Sequence, residues 1–322
     1  MSPPKKKIKI LEDGQGGEAC HPTYDYSTLP YDVLLEIFKY LDFKTIAQCA
    51  TLCRTFYNIS NESVVYNRVT FKYNMDTNLL ENYISKKTKR IIQNLRGTYC
   101  RNDEVLSLLS ECPNLTAVNF MRCKGSFKSL LTLRNLEKLE LFFCIFPKEV
   151  LQEILQNNSQ LKSITLCDNT NLNGNDVCEN LAIYNPQIEE VHIAEKRRVR
   201  TKGLKALARC PKLRILELEG GPFQCDPEDS LEQLAVGCPL LERLTLYGWK
   251  DINDETLMPV LHTCMQLKEL DLRGINITIK SCREAALTLP FLKTLDVYKC
   301  QRIKKAQILK LQNEFKDIRI TN

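Results

Sequence analysis

The chain has 322 residues and a formal net charge of +6, and its 43% hydrophobic and 26% charged residues are typical of a globular protein. No apolar run reaches the roughly 20 residues of a membrane helix, and residues 1–13 lack the apolar stretch of a secretory signal. We therefore expect a cytosolic or nuclear protein whose fifteen cysteines are free thiols, and the modest charge gives only weak support for nucleic-acid binding.

A basic tail opens the chain, and we place it at residues 1–23, where the composition is typical of disorder. Within it, Pro4–Lys9 is a compact lysine-rich segment. Import receptors bind such clusters, so one interpretation is a nuclear import signal. The other is a solvated tail without a function. The segment alone does not decide between nucleus and cytoplasm.

Two short amphipathic helices follow the tail. In the first, Leu34, Phe38 and Leu41 fall on one helical face. The second begins after Asp42 as its N-cap, and its expected buried stripe comprises Ile46, Cys49, Cys53 and Phe56. Such a small unit buries little apolar surface, so we expect it to be marginally stable alone and to dock on a partner.

The same residues resemble the F-box motif, over about residues 26–70 of this chain. They read Leu29-Pro30, Leu34-Leu35-x-Ile37-Phe38-x-x-Leu41 and Leu52-Cys53-Arg54-Thr55-Phe56. Phe56 stands where the family commonly has Trp, and Val64-Val65 where it has Leu-Trp, and both changes keep a large or apolar group. We place this module at residues 24–70.

The resemblance implies that the module docks on the Skp-type adaptor of a cullin-based ubiquitin ligase. The contacting residues would be Leu29, Pro30, Leu34, Leu35, Ile37, Phe38 and Leu41. The alternative is that these side chains only cap one end of a solenoid.

An internal repeat of the form Leu-x-x-Leu-x-Leu covers most of the remaining chain, and its copies start 21 to 28 residues apart. This period is typical of leucine-rich repeats, in which a short strand is followed by a helix returning along the outside. The eight copies are Leu115/Val118/Phe120, Leu136/Leu139/Leu141, Leu161/Ile164/Leu166, Ile188/Val191/Ile193, Leu213/Leu216/Leu218, Leu241/Leu244/Leu246, Leu267/Leu270/Leu272 and Leu292/Leu295/Val297, and Phe315/Ile318/Ile320 is a degenerate ninth.

Helical apolar spacing appears between the copies, at Glu104–Leu109, Leu204–Ala208 and Leu231–Ala235. Each of these segments is followed by Cys-Pro, which ends a helix. The repeats resemble the cysteine-containing subtype of leucine-rich repeat, with Cys112, Cys210, Cys238 and Cys264 at the helix ends, Cys123 and Cys300 after strands, and Asn157 or Asn158 and Asn185 as departures. We interpret these cysteines as packing residues, since no closely spaced pair of a zinc site is present.

The fold class predicted is therefore α/β, a horseshoe-shaped leucine-rich-repeat solenoid at residues 71–322 behind a small all-helical module. Tyr66-x-x-Val69-x-Phe71 has the strand spacing and is interpreted as a first, capping strand. Ile91, Ile92 and Leu95 indicate another strand, but the repeat register between residues 72 and 100 is not fixed by the sequence.

Residues between the inward-facing leucines should point to the concave surface, which solenoids commonly use for binding. Acidic residues dominate this set, with Glu140, Glu190, Glu217, Glu219, Glu269, Asp271 and Asp296 against Lys138, Arg243 and Arg273. Four aromatic residues accompany them, namely Phe142, Tyr247, Trp249 and Tyr298. We expect this surface to bind a protein segment of basic character. The alternative is a solvated acidic sheet.

A second charged cluster, Lys196–Lys202, follows the fourth strand of the repeats and is expected on a rim loop. It pairs with an acidic or phosphorylated peptide in one interpretation and is only a solvated loop in the other.

No catalytic motif, cofactor motif or metal-ligand set is evident, since His21, His192 and His262 have no nucleophile or metal partner close in sequence. The hypothesis is a non-catalytic substrate-recognition subunit of an SCF-type ubiquitin ligase, which presents a protein for ubiquitination and proteasomal degradation. A ligase-independent interaction scaffold or inhibitor is the main alternative. Nucleic-acid binding is a third, which the acidic face disfavours.

Overall fold

A computed structural model describes residues 28–41, 43–66, 68–71, 93–99, 107, 110, 112–196, 198–219 and 227–322. The basic segment Pro4–Lys9, Asp42 and most of Glu104–Leu109 lie outside these residues, so the expectations attached to them stay predictions.

The N-terminal module contains α1 at Tyr31–Phe38, α2 at Phe43–Cys49 and α3 at Arg54–Ser60, followed by a 3-10 turn at Ser63–Tyr66. The prediction of a single second helix is wrong, because the chain breaks between α2 and α3. Cys53 is extended and caps α3 by accepting a hydrogen bond from the Phe56 N–H, at 3.4 Å. An extended Cys53 cannot continue a helical stripe, although Ile46 is buried and Phe56 is half-buried as expected.

The described strands form one parallel sheet of eleven strands in chain order. They are β1 Arg68–Phe71, β2 Asn94–Thr98, β3 Ala117–Met121, β4 Lys138–Phe142, β5 Ser163–Cys167, β6 Glu190–Ala194, β7 Ile215–Glu219, β8 Arg243–Tyr247, β9 Glu269–Asp271, β10 Thr294–Asp296 and β11 Arg319–Thr321. Sequential order of parallel strands is the arrangement of a solenoid, and it confirms the predicted fold class.

The repeat motif supplies the core. Every apolar residue of the eight full copies is buried, in one continuous cluster from Leu95 to Ile320. In the degenerate ninth copy Ile320 is buried, while Phe315 and Ile318 are partly buried against the same cluster. Each copy packs on the next, so the leucine ladder stabilises the array.

Helices return along the outer side, at α4 Lys148–Asn157, α5 Gly174–Tyr184, α6 Thr201–Leu207, α7 Pro227–Gly237, α8 Asp254–Thr263, α9 Ile279–Thr288 and α10 Lys305–Glu314. Between β3 and β4 a 3-10 helix, Lys128–Thr132, takes this place. The residues at the cysteine position after five of these helices are buried, namely Asn158, Asn185, Cys210, Cys238 and Cys264, so Asn158 rather than Asn157 occupies it.

The sheet begins at Arg68, so the expected module boundary at residue 70 falls inside β1. The capping strand is thus present, and β2 fixes the register left open by the sequence, since Leu95 pairs with Val118. Ile91 and Ile92 lie outside the described residues.

Left-handed residues lie directly after several strands. Tyr99, Arg122, Phe143 and Asp168 have φ between 49° and 59°. Their N–H groups donate to the last carbonyl of the next strand, at 2.8 to 3.0 Å. Gly248, directly after β8, and Gly274, three residues after β9, occupy the same place in their repeats, with φ of 76° and 71°. This turn forms the rim where the strands end.

Candidate functional site

The N-terminal module has a small core of its own. Leu34, Phe38, Ile46, Ile59 and Val65 are buried, and the Phe38 ring meets the Phe56 ring edge-on with centroids 5.4 Å apart. These five buried residues form a small core, so the free energy of unfolding of the module alone should be small.

Two of the expected adaptor-binding residues are core residues. Leu34 and Phe38 are each 2% exposed, so they hold the helices together and cannot contact a partner directly. Leu29, Leu35 and Leu41 are partly buried against that core. Of the expected set, Pro30 and Ile37 are exposed. Helical periodicity groups the residues that share a face, but it does not say which face packs within the chain.

Sequence reasoning missed other exposed apolar side chains on the same module. Val33 lies beside Ile37 on α1, and Tyr40, Leu52 and Tyr57 follow on later segments. Tyr40 is 85% exposed and Leu52 is 69% exposed. This concentration of apolar surface on so few residues is typical of an interaction site.

On the sheet, the outward positions form rows of neighbouring side chains across the strands. The middle row contains Arg96, Asn119, Glu140, Thr165, His192, Glu217, Thr245, Asp271, Asp296 and Thr321. In β7 and β8 buried and half-buried residues alternate, which places Glu217, Glu219, Arg243 and Tyr247 on the outward side of the sheet.

Glu217 is the centre of a charge network. Its carboxylate lies 2.8 Å from His192 Nδ1 and 3.6 Å from the Arg243 guanidinium. Arg243 in turn forms a two-pronged pair with Glu269, at 2.6 and 2.9 Å. The hydrogen bond from His192, together with the charges of His192 and Arg243, holds the pKa of Glu217 below its usual range.

A second network lies next to it. The Arg273 guanidinium binds Asp271 at 2.6 Å and stacks over the Tyr247 ring, 5.2 Å from its centroid. Asp296 is 3.9 Å from Arg273 and accepts a hydrogen bond from the Tyr298 N–H at 2.9 Å. Of these side chains, Tyr298 is the most exposed, at 50%.

Several of the acidic residues expected on this surface have partners within the chain. Glu140 pairs with Lys138, Glu190 accepts from Ser163, and Glu219 pairs with Arg198. The register also adds Arg96 and Arg319, which the sequence pattern had not placed here. The surface is therefore a mixed lattice of opposite charges. Its C-terminal half contains a depression of about 420 Å³, lined by Glu217, Arg243, Thr245, Glu269, Leu270, Asp271, Arg273, Thr294, Asp296, Arg319 and Thr321.

Trp249 is not a surface residue, contrary to the sequence prediction. It is 4% exposed and belongs to the core of the solenoid. Strict alternation from β8 would point it outward, but Gly248 turns the chain with φ of 76° and reverses that pattern. Phe142 and Tyr247 remain half-buried on the sheet surface.

The cluster Lys196–Lys202 forms a loop up to Arg200, and Thr201 begins α6. Two of its cations are engaged within the chain, because Arg198 pairs with Glu219 at 2.7 Å and Lys202 with Glu179 at 2.9 Å. Arg197 lies outside the described residues.

The part of the chain that the structure describes contains no helix long and apolar enough to cross a membrane. It also contains no group of three His, Cys, Asp or Glu side chains arranged to hold a metal ion. Its twelve cysteines are free thiols, nine of them buried.

A family model described as F-box-like matches residues 26–72, the segment that holds α1, α2 and α3. The chain thus carries an F-box-like domain in front of a leucine-rich-repeat solenoid. Among curated relatives, F-box protein SKIP17 of Arabidopsis thaliana is 23% identical over 305 residues, which cover 91% of this chain and 58% of the relative. Protein ARABIDILLO 1 of the same plant is 26% identical over 224 residues, 67% of this chain and 18% of the relative. The chain spans less than two thirds of the length of these curated relatives.

Solved structures share the fold of this chain. A chain of the yeast Rad7 and Elc1 complex matches with a TM-score of 0.53 and 16% identity, over 87% of this chain and 79% of that one. An internalin from Listeria monocytogenes matches with a TM-score of 0.52 and 16% identity, over 81% of this chain and 70% of that one. Identities this low support the repeat fold alone.

Proposed function

We propose that this protein is a non-catalytic substrate-recognition subunit of a cullin-based ubiquitin ligase. The F-box-like domain docks on a Skp-type adaptor, and the solenoid holds a protein target for ubiquitination and proteasomal degradation. The observation that carries the proposal is the apolar surface of the N-terminal module. Several of its apolar side chains are exposed and do not contribute to its own core.

That surface is defined by Val33, Ile37, Tyr40 and Leu52. Their exposed fractions run from 43% to 85%, on a module whose core has five buried residues. Covering these side chains with a partner removes apolar area from water, and each Å² contributes roughly 25 cal/mol. Adaptor binding therefore offers the stability that the module alone lacks.

The target-binding half of the proposal rests on the mixed charges of the concave surface. A protein segment of basic character binds Asp296, whose nearest cation is 3.9 Å away. Tyr298 lies beside Asp296 and offers an exposed aromatic contact. Glu217 already contacts His192 and the Arg243 guanidinium, and Asp271 is paired with Arg273. Asp296→Asn is therefore a cleaner test of target capture than reversing the paired acids.

The adaptor half is tested by binding of the purified full-length chain to a purified Skp-type adaptor. We expect Leu52→Glu to weaken binding at least about tenfold, since it buries a charge in an apolar interface. Val236→Glu is the matched control, because Val236 is also 69% exposed but lies on α7 of the solenoid. Its binding should equal that of the wild type.

Failure of the wild-type chain to bind the adaptor, under conditions where other F-box proteins bind, would remove the ligase proposal and favour the scaffold alternative. Pro4–Lys9 stays a proposed nuclear import signal, and deleting it should shift a fluorescent fusion from nucleus to cytoplasm.

A further inference from the structure

Three bulky residues adopt the left-handed conformation in consecutive repeats at the N-terminal half of the rim. Tyr99, Arg122 and Phe143 have φ of 59°, 55° and 53°. Gly248 and Gly274 occupy the same turn in later repeats, so glycine satisfies the fold there without strain. Strained non-glycine residues cluster at functional sites, because selection for another role must oppose the cost.

The three side chains form one exposed stack, which we call the rim stack. The Arg122 guanidinium lies 5.3 Å from the centroid of the Tyr99 ring and 5.7 Å from that of the Phe143 ring. It also donates a hydrogen bond to the Tyr99 hydroxyl. Tyr99 is 37% exposed and Phe143 45% exposed. The flanking rings restrict the orientation of the guanidinium, while the Arg122 residue stays exposed.

Charge complementarity indicates what the rim stack binds. Within the described part of the chain Arg122 forms no ion pair, whereas Arg243 on β8, Arg273 after β9 and Arg198 on the loop after β6 are all paired with carboxylates. A guanidinium that is fixed between two rings and forms no ion pair is suited to a two-pronged hydrogen bond with a carboxylate. Around it lie the half-buried Met121 and Phe142 and the exposed Ile145, which offer apolar contacts.

We propose that the rim stack is an anchor for an extended protein segment that carries an aspartate or glutamate between apolar side chains. The carboxylate binds Arg122, and the apolar neighbours pack on Phe143 and Met121. The inference rests on the proposed function in that the solenoid holds a protein target, and it names a second contact with that target. A nucleic acid is disfavoured because the next residue along the rim is acidic, Asp168.

The probe is a pair of displayed libraries of linear peptides, one with a fixed Asp between two Leu, Ile or Phe positions, the other with Asn replacing Asp. The full-length chain is the bait. We expect selection from the Asp library only, and about tenfold tighter binding of a selected peptide than of its Asn counterpart. Equal selection from both libraries overturns the proposal, as does tighter binding of a single-stranded oligonucleotide than of any peptide.

Arg122→Gly separates binding from folding. Glycine adopts this φ more readily than arginine, so the melting temperature should be unchanged or higher while peptide affinity falls about tenfold. Lys299→Gly is the matched control, since Lys299 has φ of 63° at the far end of the sheet, and it should bind the peptide like the wild type.

Retained peptide binding by Arg122→Gly contradicts the proposal. A lower melting temperature also contradicts it, because the rim stack would then serve the fold. Adaptor binding by Arg122→Gly should equal that of the wild type, so a failure of the rim stack is distinguishable from a failure of the adaptor proposal.

Discussion

The side-chain amide of Asn185 donates a hydrogen bond to the main-chain carbonyl of Asn158, at 2.7 Å, and so joins the ends of two successive helices. Its second bond, at 3.3 Å, goes to the Leu155 carbonyl. Two repeats later, Cys238 Sγ makes the same two contacts, with the carbonyls of Cys210 and Leu207 at 3.4 and 3.3 Å. Asn185, which departs from the cysteine pattern, therefore performs the same structural task as Cys238.

This equivalence predicts that Asn185→Cys is tolerated. The thiol retains a donor for the carbonyls and removes the Asn185 Oδ1, a buried acceptor with no partner among the described residues. We expect a change within about 1 kcal/mol in the free energy of unfolding, whereas Asn185→Ala leaves buried carbonyls unsatisfied and costs about 2 kcal/mol. Urea unfolding of both variants measures the difference. Equal losses for Cys and Ala would contradict the shared role.

Glu195 predicts a pH dependence of stability. It is 2% exposed, and burial raises its pKa to about 7, against the opposing effect of the Asn169 amide, which donates to it at 2.8 Å. The folded protein therefore retains a proton that the unfolded chain releases above its ordinary pKa of 4.5. This stabilisation is complete below pH 4.5 and is lost as pH rises through about 7.

Glu195→Gln resembles the protonated form of the Glu195 side chain, and the glutamine does not titrate. The free energy of unfolding of the wild type, relative to this variant, should fall by about 3 kcal/mol between pH 4.5 and 7.5. Parallel urea titrations at several pH values measure it. A pH-independent difference between the two proteins would show that Glu195 ionises normally in the fold.

Replacement by alanine should have different effects on stability at Trp249 and at Tyr298. Trp249→Ala opens a cavity in the core and should cost about 4 kcal/mol, whereas Tyr298→Ala at the exposed surface should change stability by less than about 0.5 kcal/mol. Thermal unfolding followed by circular dichroism distinguishes them. Because Trp249 is the single tryptophan, its fluorescence should report unfolding and stay unchanged when a target binds. Quenching by bound target would place it on the surface.

Phe38 and Ile37 are adjacent on α1, but Phe38 is buried and Ile37 is exposed. Phe38→Ala should destabilise the N-terminal module by about 3 kcal/mol, because it removes one ring from a five-residue core. Ile37→Ala should leave the helices folded and weaken adaptor binding. Limited proteolysis reports the first effect and adaptor affinity the second. If Ile37→Ala binds the adaptor with unchanged affinity, α1 does not contribute its exposed face.

Sequence reasoning reached the fold because buried leucines recur at a fixed period, and a parallel ladder follows directly from that spacing. It failed where one residue changes the direction of the chain. Gly248 reversed the expected side of Trp249, and the extended Cys53 divided a helix in two. It also missed Arg198 as the partner of Glu219, since a contact between a rim loop and the next strand leaves no periodic signal.

Because the strands follow chain order, the separation between two strands, counted along the sheet, is a whole number of strand spacings, each about 4.8 Å. Gain or loss of one repeat would move everything beyond it by one step relative to the N-terminal module. Between homologues, the distance along the sheet from β1 to the depression near β9 can therefore change only by whole repeats. The surface residues of each repeat can vary independently of that distance.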